Sequence, residues 1–258
     1  MKITILGSGT SSGVPMIACD CHVCKSFDSK DKRLRCSIMI SFNGQNHVID
    51  SGPDFRQQML THQVKSLSSV LFTHEHKDHI AGLDDIRAFN LKEGRDMEVY
   101  CTERVEEALR REFHYIFSGM VYPGLPKVNL NRIDSEVFEL SGGVQVQPIK
   151  VMHYVMPVTA YRIGYFTYVT DAKTISEMEM EKIKGTKVLI VNALHEKEHV
   201  SHFNLKEALE FIKKINPKIA YLTHVSHLFG THIEIERLLP DNVFVAYDGM
   251  ILHVNNEI

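Results

Sequence analysis

Four side chains that commonly bind metal ions follow directly after a short apolar run. The run "SSVLFT" has the composition of a buried strand, and the chain continues with the spacing H-x-H-x-D-H at His74, His76, Asp78 and His79. Alternate positions of an extended segment project to the same side, so the first two histidines can face one point. Imidazole and carboxylate together suit borderline divalent metals such as zinc or manganese. Four ligands within six residues can begin two metal sites, and the remaining ligands must then come from elsewhere in the chain.

Further potential ligands follow other apolar runs that are predicted to be strands. These residues are His153 after "VQVQPIKVM", Asp171 after "YFTYVT", His224 after "KIAYLT" and Asp50 after "HVI". A carboxylate that ends a strand is often only a cap, and Asp78 has the alternative interpretation of a helix N-cap. Because several such residues occur together with the histidine cluster, we expect the sheets to present them to one common cleft.

Short β-branched runs alternate with helical patterns in both halves of the chain. "ERVEEALRREFHYIF" has apolar residues at a helical spacing, and "NLKEALEFIKKINP" begins at the capping residue Asn204. The length of 258 residues is sufficient for a large core. The pattern predicts an α/β fold in which two mixed sheets pack face to face with helices outside, a four-layer αββα sandwich. We expect residues 1–258 to form a single domain.

The composition excludes several classes of protein. The formal net charge of −3 gives no broad attraction to nucleic acid or to an anionic membrane. Apolar runs stay well short of the length that spans a bilayer. The segment "MKITILGSGT" lacks the apolar core and cleavage site of a secretory signal, so we expect a cytoplasmic protein. In that compartment five cysteines do not indicate a disulfide framework.

Three of the cysteines crowd into the polar segment "CDCHVC", namely Cys19, Cys21 and Cys24. Zinc in a structural site prefers four ligands, and three thiolates from one loop supply most of them. The fourth ligand is His22, Cys36 or His227. We favour His227, because "LTHVSH" places it three residues after His224. Ordinary buried thiols are the alternative, but the segment is too polar for a core strand.

The motifs "THEHKDH", "MH", "VTDA", "LTH" and "IDSG" together resemble the metallo-β-lactamase-fold hydrolase superfamily. The resemblance extends from Met1 to about Gly249 and implies an αββα sandwich with its site on one edge. It implies two metal ions, and Asp50 would orient their ligands by hydrogen bonding. The resemblance assigns His74, His76 and His153 to one ion, Asp78, His79 and His224 to the other, and Asp171 to both.

Two residue types narrow the branch of this superfamily. Asp171 occupies a position where cysteine or serine would indicate a true β-lactamase, and His76 occupies one where glutamate would indicate a di-iron oxygen-reducing relative. Hydrolysis of phosphodiesters, thioesters or lactones remains. "GSGTSSGVP", the C-x-C-x-x-C loop, "RLRCS", "HKDHIAGLDDIR" and "LTHVSH" followed by "DGM" more closely resemble the cyclic phosphodiesterase of bacterial phosphonate breakdown, which opens phosphoribosyl 1,2-cyclic phosphate.

The expected mechanism is hydrolysis of a small, possibly cyclic phosphodiester by a hydroxide that bridges two divalent ions, zinc or manganese. The catalytic residues that we expect are His202 and Asp78. His202 aligns with a histidine that serves as general acid in phosphodiesterase branches of the family, and an imidazole is suited to that role. A surface histidine at a helix entry is the alternative, because His195 and His199 lie in the same loop.

Three rival functions are open at this stage. A tRNA-processing ribonuclease would share the metal ligands, but the acidic balance and the lack of a basic insertion argue against a nucleic-acid substrate. A thioester or lactone hydrolase would not require His202. A metal-bound binding module without turnover is the non-enzymatic alternative. The resemblance also raises the expectation of a homodimer, and we expect no membrane partner.

Overall fold

The computed structural model describes residues 1–119 and 122–255, and this part of the chain forms two seven-stranded sheets. The strands are β1 (Lys2–Gly7), β2 (Ser37–Phe42), β3 (Gln45–Ile49), β4 (Ser69–Leu71), β5 (Met97–Cys101), β6 (Val128–Arg132), β7 (Phe138–Leu140), β8 (Val144–His153), β9 (Met156–Ile163), β10 (Phe166–Val169), β11 (Val188–Asn192), β12 (Ile219–Thr223), β13 (Val243–Val245) and β14 (Ile251–His253). The α-helices are α1 (His22–Lys25), α2 (Phe55–Thr61), α3 (Lys77–Ile80), α4 (Arg87–Glu93), α5 (Glu103–Glu112), α6 (His114–Phe117), α7 (Glu177–Ile183), α8 (Leu205–Ile215) and α9 (His232–Glu236).

The two sheets repeat one topology. The first sheet has the order β14-β1-β2-β3-β4-β5-β6 and the second has the order β13-β12-β11-β10-β9-β8-β7. In the first sheet the pairs from β14 to β3 are antiparallel and those from β3 to β6 are parallel. In the second sheet the pairs from β7 to β10 are antiparallel and those from β10 to β13 are parallel. The predicted α/β fold with two mixed sheets is therefore confirmed.

Three apolar clusters account for the layers. Side chains from both sheets, such as Ile5, Leu71 and Tyr168, pack together in the central cluster. A second cluster covers the outer face of the first sheet, where Leu109 of α5 is buried. The third lies on the outer face of the second sheet and includes Phe211 of α8. Because each sheet is buried on both faces, the layers follow the predicted order αββα.

Local signals explain some helix boundaries and tertiary contacts explain others. The predicted cap of α8 is confirmed, because Asn204 and Glu207 form a reciprocal capping box. The pattern over residues 103–117 predicts one helix, but the chain divides it at Phe113 into α5 and α6. The segment after the histidine motif forms two separate helices, α3 and α4, and between them Gly82 lies so close to the backbone that a Cβ there would be 2.2 Å from the carbonyl oxygen of Gly52. That close approach fixes the segment against the end of β3.

The ends of several strands meet at one edge of the sandwich. The backbone nitrogen of Thr159 in β9 donates to the carbonyl oxygen of Thr73, just after β4, at 2.9 Å and joins the two sheets there. The carboxyl ends of the parallel strands lie on the same edge, which is where ligands bind in α/β sheets. Over residues 1–119 and 122–255, none of the helices combines the length and hydrophobicity that crossing a bilayer requires.

Candidate active site

Three of the residues predicted to form the site have left-handed backbone conformations. Asp50, Asp171 and His224 have φ values of 65°, 56° and 58°. Each lies directly after a parallel strand or one residue beyond it. Such φ values are uncommon outside glycine, and they concentrate at functional sites because the surrounding structure must hold them in place. The sharp change of direction after each strand turns the side chain toward the shared edge.

Asp50 organises two of the histidines by hydrogen bonding. Its Oδ1 accepts from the backbone nitrogen of Thr73 at 2.8 Å, and its Oδ2 accepts from Thr73 Oγ1 at 2.9 Å and from His79 Nδ1 at 2.7 Å. Because the Thr73 hydroxyl gives its proton to Asp50, the His74 Nδ1–H donates to Thr73 Oγ1, at 2.9 Å. Both imidazoles are therefore held as tautomers whose Nε2 carries a free lone pair.

The free imidazole nitrogens point at carboxylate oxygens. His79 Nε2 lies 3.2 Å from Asp78 Oδ2 and 3.3 Å from Asp171 Oδ2. His224 Nδ1 also lies 3.3 Å from Asp171 Oδ2. All four side chains are largely buried, with Asp78 the most exposed of them at 13%. The carboxylate of Asp171 is thus shared between two imidazoles.

The remaining histidines complete the cluster. His153 Nδ1 donates to the carbonyl oxygen of Ser201 at 2.9 Å, which leaves its Nε2 free. The His153 ring lies 5.2 Å from that of His76 and 6.0 Å from that of His74, and the His202 ring lies 4.4 Å from that of His153. The structure therefore brings together every residue that the sequence predicts for the paired site. Asp78 is no helix cap, because the N-cap of α3 is His76.

The electrostatics of the cluster favour a cation. Burial works to lower the pKa of His79, but the carboxylates of Asp171, Asp50 and Asp78 outweigh it and raise that pKa well above its usual value. Burial likewise works to raise the pKa of Asp171, yet the adjacent His224 and His79 hold it well below its usual range. The carboxylates thus favour a positive charge at the position of His79.

Unsatisfied buried nitrogens provide the test of whether metal ions fit. Among the described residues, His74 Nε2, His79 Nε2 and His224 Nδ1 are buried and have no hydrogen-bond partner. A buried polar atom without a partner is costly, and a divalent ion is the partner that imidazole lone pairs facing carboxylates would accept. One potential ligand atom from each of His74, His79 and Asp171, an imidazole nitrogen or a carboxylate oxygen, lies within 4.8 Å of the other two. The same holds for His153, Asp171 and His202. The residues present therefore fit metal ions.

His202 lies inside the cluster. Burial lowers the pKa of His202, with His224 acting in the same direction, to about 2. Its Nδ1 is 3.7 Å from Asp171 Oδ1 and has no hydrogen-bond partner among the described residues. The metal content of a His202 variant distinguishes a proton donor from an additional ligand.

The cysteine loop forms a second cluster. Cys19 Sγ and Cys21 Sγ lie 3.3 and 3.5 Å from His227 Nδ1, and Cys24 belongs to the same group of potential ligands. The backbone hydrogen bond from Cys24, together with His227, lowers the pKa of Cys21 to about 6, which favours a thiolate. Of the other candidates for the fourth position, His22 pairs with Glu234 at the surface and Cys36 is buried against Thr223.

The glycine-rich loop after β1 lies between these clusters. Val225, which follows His224, donates its backbone N–H to the carbonyl oxygen of Ser8 at 3.0 Å, and the Thr10 N–H donates to the Val225 carbonyl oxygen at 3.2 Å. A Cβ at Gly7 would lie 2.0 Å from the carbonyl oxygen of Arg35, so no side chain fits there. The loop is therefore both a close-packed turn and part of the support of the paired site.

Two contributors escape prediction from the sequence. Thr73 relays the hydrogen bond from His74 to Asp50, and the Ser201 carbonyl fixes the orientation of His153. Thr73 stands beside the histidine motif, which is the only local signal for its role. Ser201 carries no such signal, because it acts through its backbone.

Comparisons with known proteins agree with this fold. Residues 45–225 match the family described as the beta-lactamase superfamily domain. The chain is 38% identical to an octanoyltransferase of Porphyromonas gingivalis over 97% of its own length and 51% of that protein. The chain spans about half the length of the curated relatives it matches.

Among solved structures, a diphosphatase from the PhnP family has a TM-score of 0.92 and 37% identity, with 99% of this chain and 98% of that chain covered. Zinc-bound PqqB from Methylobacterium extorquens has a TM-score of 0.80 and 20% identity, covering 98% and 100% of the two chains, and shares the fold. These matches confirm the resemblance inferred from the motifs. The chain therefore belongs to the family described as the beta-lactamase superfamily domain.

Proposed function

We propose that this enzyme is a metal-dependent phosphoesterase that hydrolyses a phosphodiester of a small molecule. The observation that carries the proposal is the convergence of buried imidazole nitrogens without hydrogen-bond partners on the carboxylates of Asp78 and Asp171. Such a cluster has little value for stability, because each unpaired buried nitrogen is destabilising. Its composition is that of a site for two divalent ions.

The proposed ligands divide into two groups that share Asp171. Two ions held in this way would supply Lewis-acid stabilisation of the phosphoryl oxygens and activation of water. The proposed zinc or manganese content is supported by the mixed imidazole and carboxylate donor set. One ion would take His74, His76 and His153, the other would take Asp78, His79 and His224.

The chain's own groups prepare the site for this chemistry. Asp50 holds His79 in the tautomer that presents Nε2 to the cleft, and Thr73 does the same for His74. The Ser201 carbonyl fixes His153. These hydrogen bonds orient the ligands before a substrate arrives, which lowers the reorganisation needed during the reaction. His202, whose ring lies 4.4 Å from that of His153, is the proposed proton donor to the leaving oxygen.

The cysteine cluster is proposed to hold a structural zinc through Cys19, Cys21, Cys24 and His227. The proximity of both thiol sulfurs to the His227 ring supports this assignment. A zinc there would link the loop after β1 to the segment that follows His224, because His227 lies three residues beyond it. Loss of the structural zinc would then also affect the position of His224 in the paired site.

The choice of a phosphoric ester is supported by the PhnP-family diphosphatase, which covers the full length of this chain. A second candidate is hydrolysis of an acyl thioester. It is supported by the octanoyltransferase relative, in which a region similar to this chain accounts for about half of a longer protein. A large RNA substrate is disfavoured by the net charge of −3.

The test is hydrolysis of bis(p-nitrophenyl) phosphate, a thioester and a lactone by purified protein with added manganese or zinc. We expect turnover of the phosphodiester, its loss in His202→Ala, and unchanged metal content in that variant. The control His253→Ala removes an exposed imidazole from β14 and should behave as wild type. Turnover of the thioester alone would support the second candidate, and loss of metal from His202→Ala would make His202 a ligand.

A further inference from the structure

The hairpin that joins β8 to β9 has an unfavourable turn. His153 pairs with Met156, so Tyr154 and Val155 form a two-residue connection. Tyr154 has a φ of 57°, in the left-handed region. Two-residue hairpin turns usually place asparagine, aspartate or glycine at such a position, because bulky side chains are strained there. A tyrosine is thus a poor choice for the first position of this turn.

Packing within the chain does not compensate for this strain. Tyr154 is 62% exposed and Val155 is 72% exposed. Both are large apolar side chains, and an asparagine or glycine at position 154 would relieve the strain and expose less apolar surface. Local rules that are broken without compensation within the fold are typical of functional positions.

The turn borders the active-site cluster on the side of His202. It follows His153 directly, and the His153 ring lies 4.4 Å from that of His202. Val200 directly precedes Ser201, whose carbonyl oxygen accepts a hydrogen bond from His153 Nδ1 at 2.9 Å. Val200 is also apolar and 64% exposed. We call these three residues, Tyr154, Val155 and Val200, the apolar rim.

We propose that the apolar rim binds an aromatic ring of the substrate, on the ester group nearest to His202, with the ring stacked on Tyr154. This inference rests on the proposed function, since a phosphoryl group at the metal ligands places one ester substituent beside His202. A tyrosine ring offers a planar surface for stacking, and stacking does not require hydrogen bonds. A second protein copy is a poorer occupant, because stable interfaces involve about 20 residues on each side and the rim has three.

The experiment compares the affinities of phenyl phosphate and methyl phosphate for the metal-loaded protein by calorimetry. Both ligands have the same phosphoryl group, so their ratio isolates the ring. We expect the wild type to bind phenyl phosphate about tenfold more tightly. Tyr154→Ala should abolish this preference and Tyr154→Phe should restore it. Leu91→Ala, which truncates an exposed apolar residue of α4, is the control and should retain the preference.

A second variant distinguishes ligand binding from a structural role. Tyr154→Asn should raise the Tm by about 1–4 °C, because asparagine tolerates the positive φ of this position, and should lose the preference for the ring. A lower Tm with the preference intact would overturn the inference, and so would equal affinities of the two ligands for the wild type. A change in sedimentation with an unchanged affinity ratio would identify a subunit contact instead. Failure of the proposed function would appear separately, as absent phosphodiester turnover.

Discussion

Replacing Asp50 by asparagine tests how the site holds its ligands. The backbone should not change, because asparagine tolerates the φ of 65° well. Asp50 accepts three hydrogen bonds, two from Thr73 and one from His79. With its amide oxygen at the Oδ1 position, asparagine can accept from the Thr73 backbone N–H, but its NH₂ group would then face both the Thr73 hydroxyl and the His79 Nδ1–H. His79 must change tautomer, which places a proton on the Nε2 that lies 3.2 Å from Asp78.

The expected cost is a 10- to 100-fold loss of metal affinity, about 1.4–2.7 kcal/mol, which is the range for hydrogen-bonding partners of metal ligands. The assay is competition with a chromophoric chelator, followed by metal analysis after dialysis. Glu106→Gln is a matched control, because Glu106 is a buried carboxylate that pairs with Arg110 and Arg132 away from the cluster. Wild-type affinity in Asp50→Asn would refute the assigned hydrogen-bond network.

Three further predictions concern other parts of the chain. Cys19→Ser should lose one equivalent of zinc and have a lower Tm, whereas Cys36→Ser should retain that zinc. Metal analysis measures the zinc content of both variants, and thermal melts measure their Tm. Burial lowers the pKa of His47 to about 4 from 6.5 in the unfolded chain, so its contribution to stability should be complete above pH 6.5 and decline by about 3 kcal/mol as the pH falls to 4. Urea titrations should show a weaker decline over that range in His47→Gln, and an equal decline would contradict the assignment. Asn204→Ala should lower the free energy of unfolding by about 1 kcal/mol, measured by the same titration, and an unchanged value would show that the capping box contributes nothing.

Local patterns predict the elements that depend mainly on local forces. The run "MEVYC" corresponds to β5, and the capping residue Asn204 begins α8 as expected. Strand β6 has no clear local signal, because "VNLNR" contains only two apolar residues and none of its residues is fully buried; its pairing with β5 at the edge of the sheet decides its structure. Similarly, no local signal reports that Gly82 meets the backbone of Gly52. Contacts between distant segments override local preference at these positions.

The site is more predictable than the fold details, because its chemistry is confined to a few residue types. Histidines and carboxylates at strand ends indicate a cluster, and the structure brings them together. The fourth residue of the cysteine cluster was open among His22, Cys36 and His227, because sequence separation gives no distance. In the structure only His227 of these three lies within 3.5 Å of the thiol sulfurs of Cys19 and Cys21. Backbone acceptors such as the Ser201 carbonyl have no side-chain signature at all.

The residues with unfavourable backbone conformations connect the fold to the chemistry. Asp50, Asp171 and His224 each leave a strand in the left-handed region, at a cost of order 1–3 kcal/mol per residue. The strands that precede them are fully paired inside the sheets, so these positions are held from one side by regular hydrogen bonding. Tyr154 follows the same rule one residue beyond His153. The strained residues all lie at strand ends on the edge of the sandwich that carries the candidate site. The unfavourable backbone conformations therefore lower the free energy of unfolding at the same positions where they fix the orientation of functional side chains.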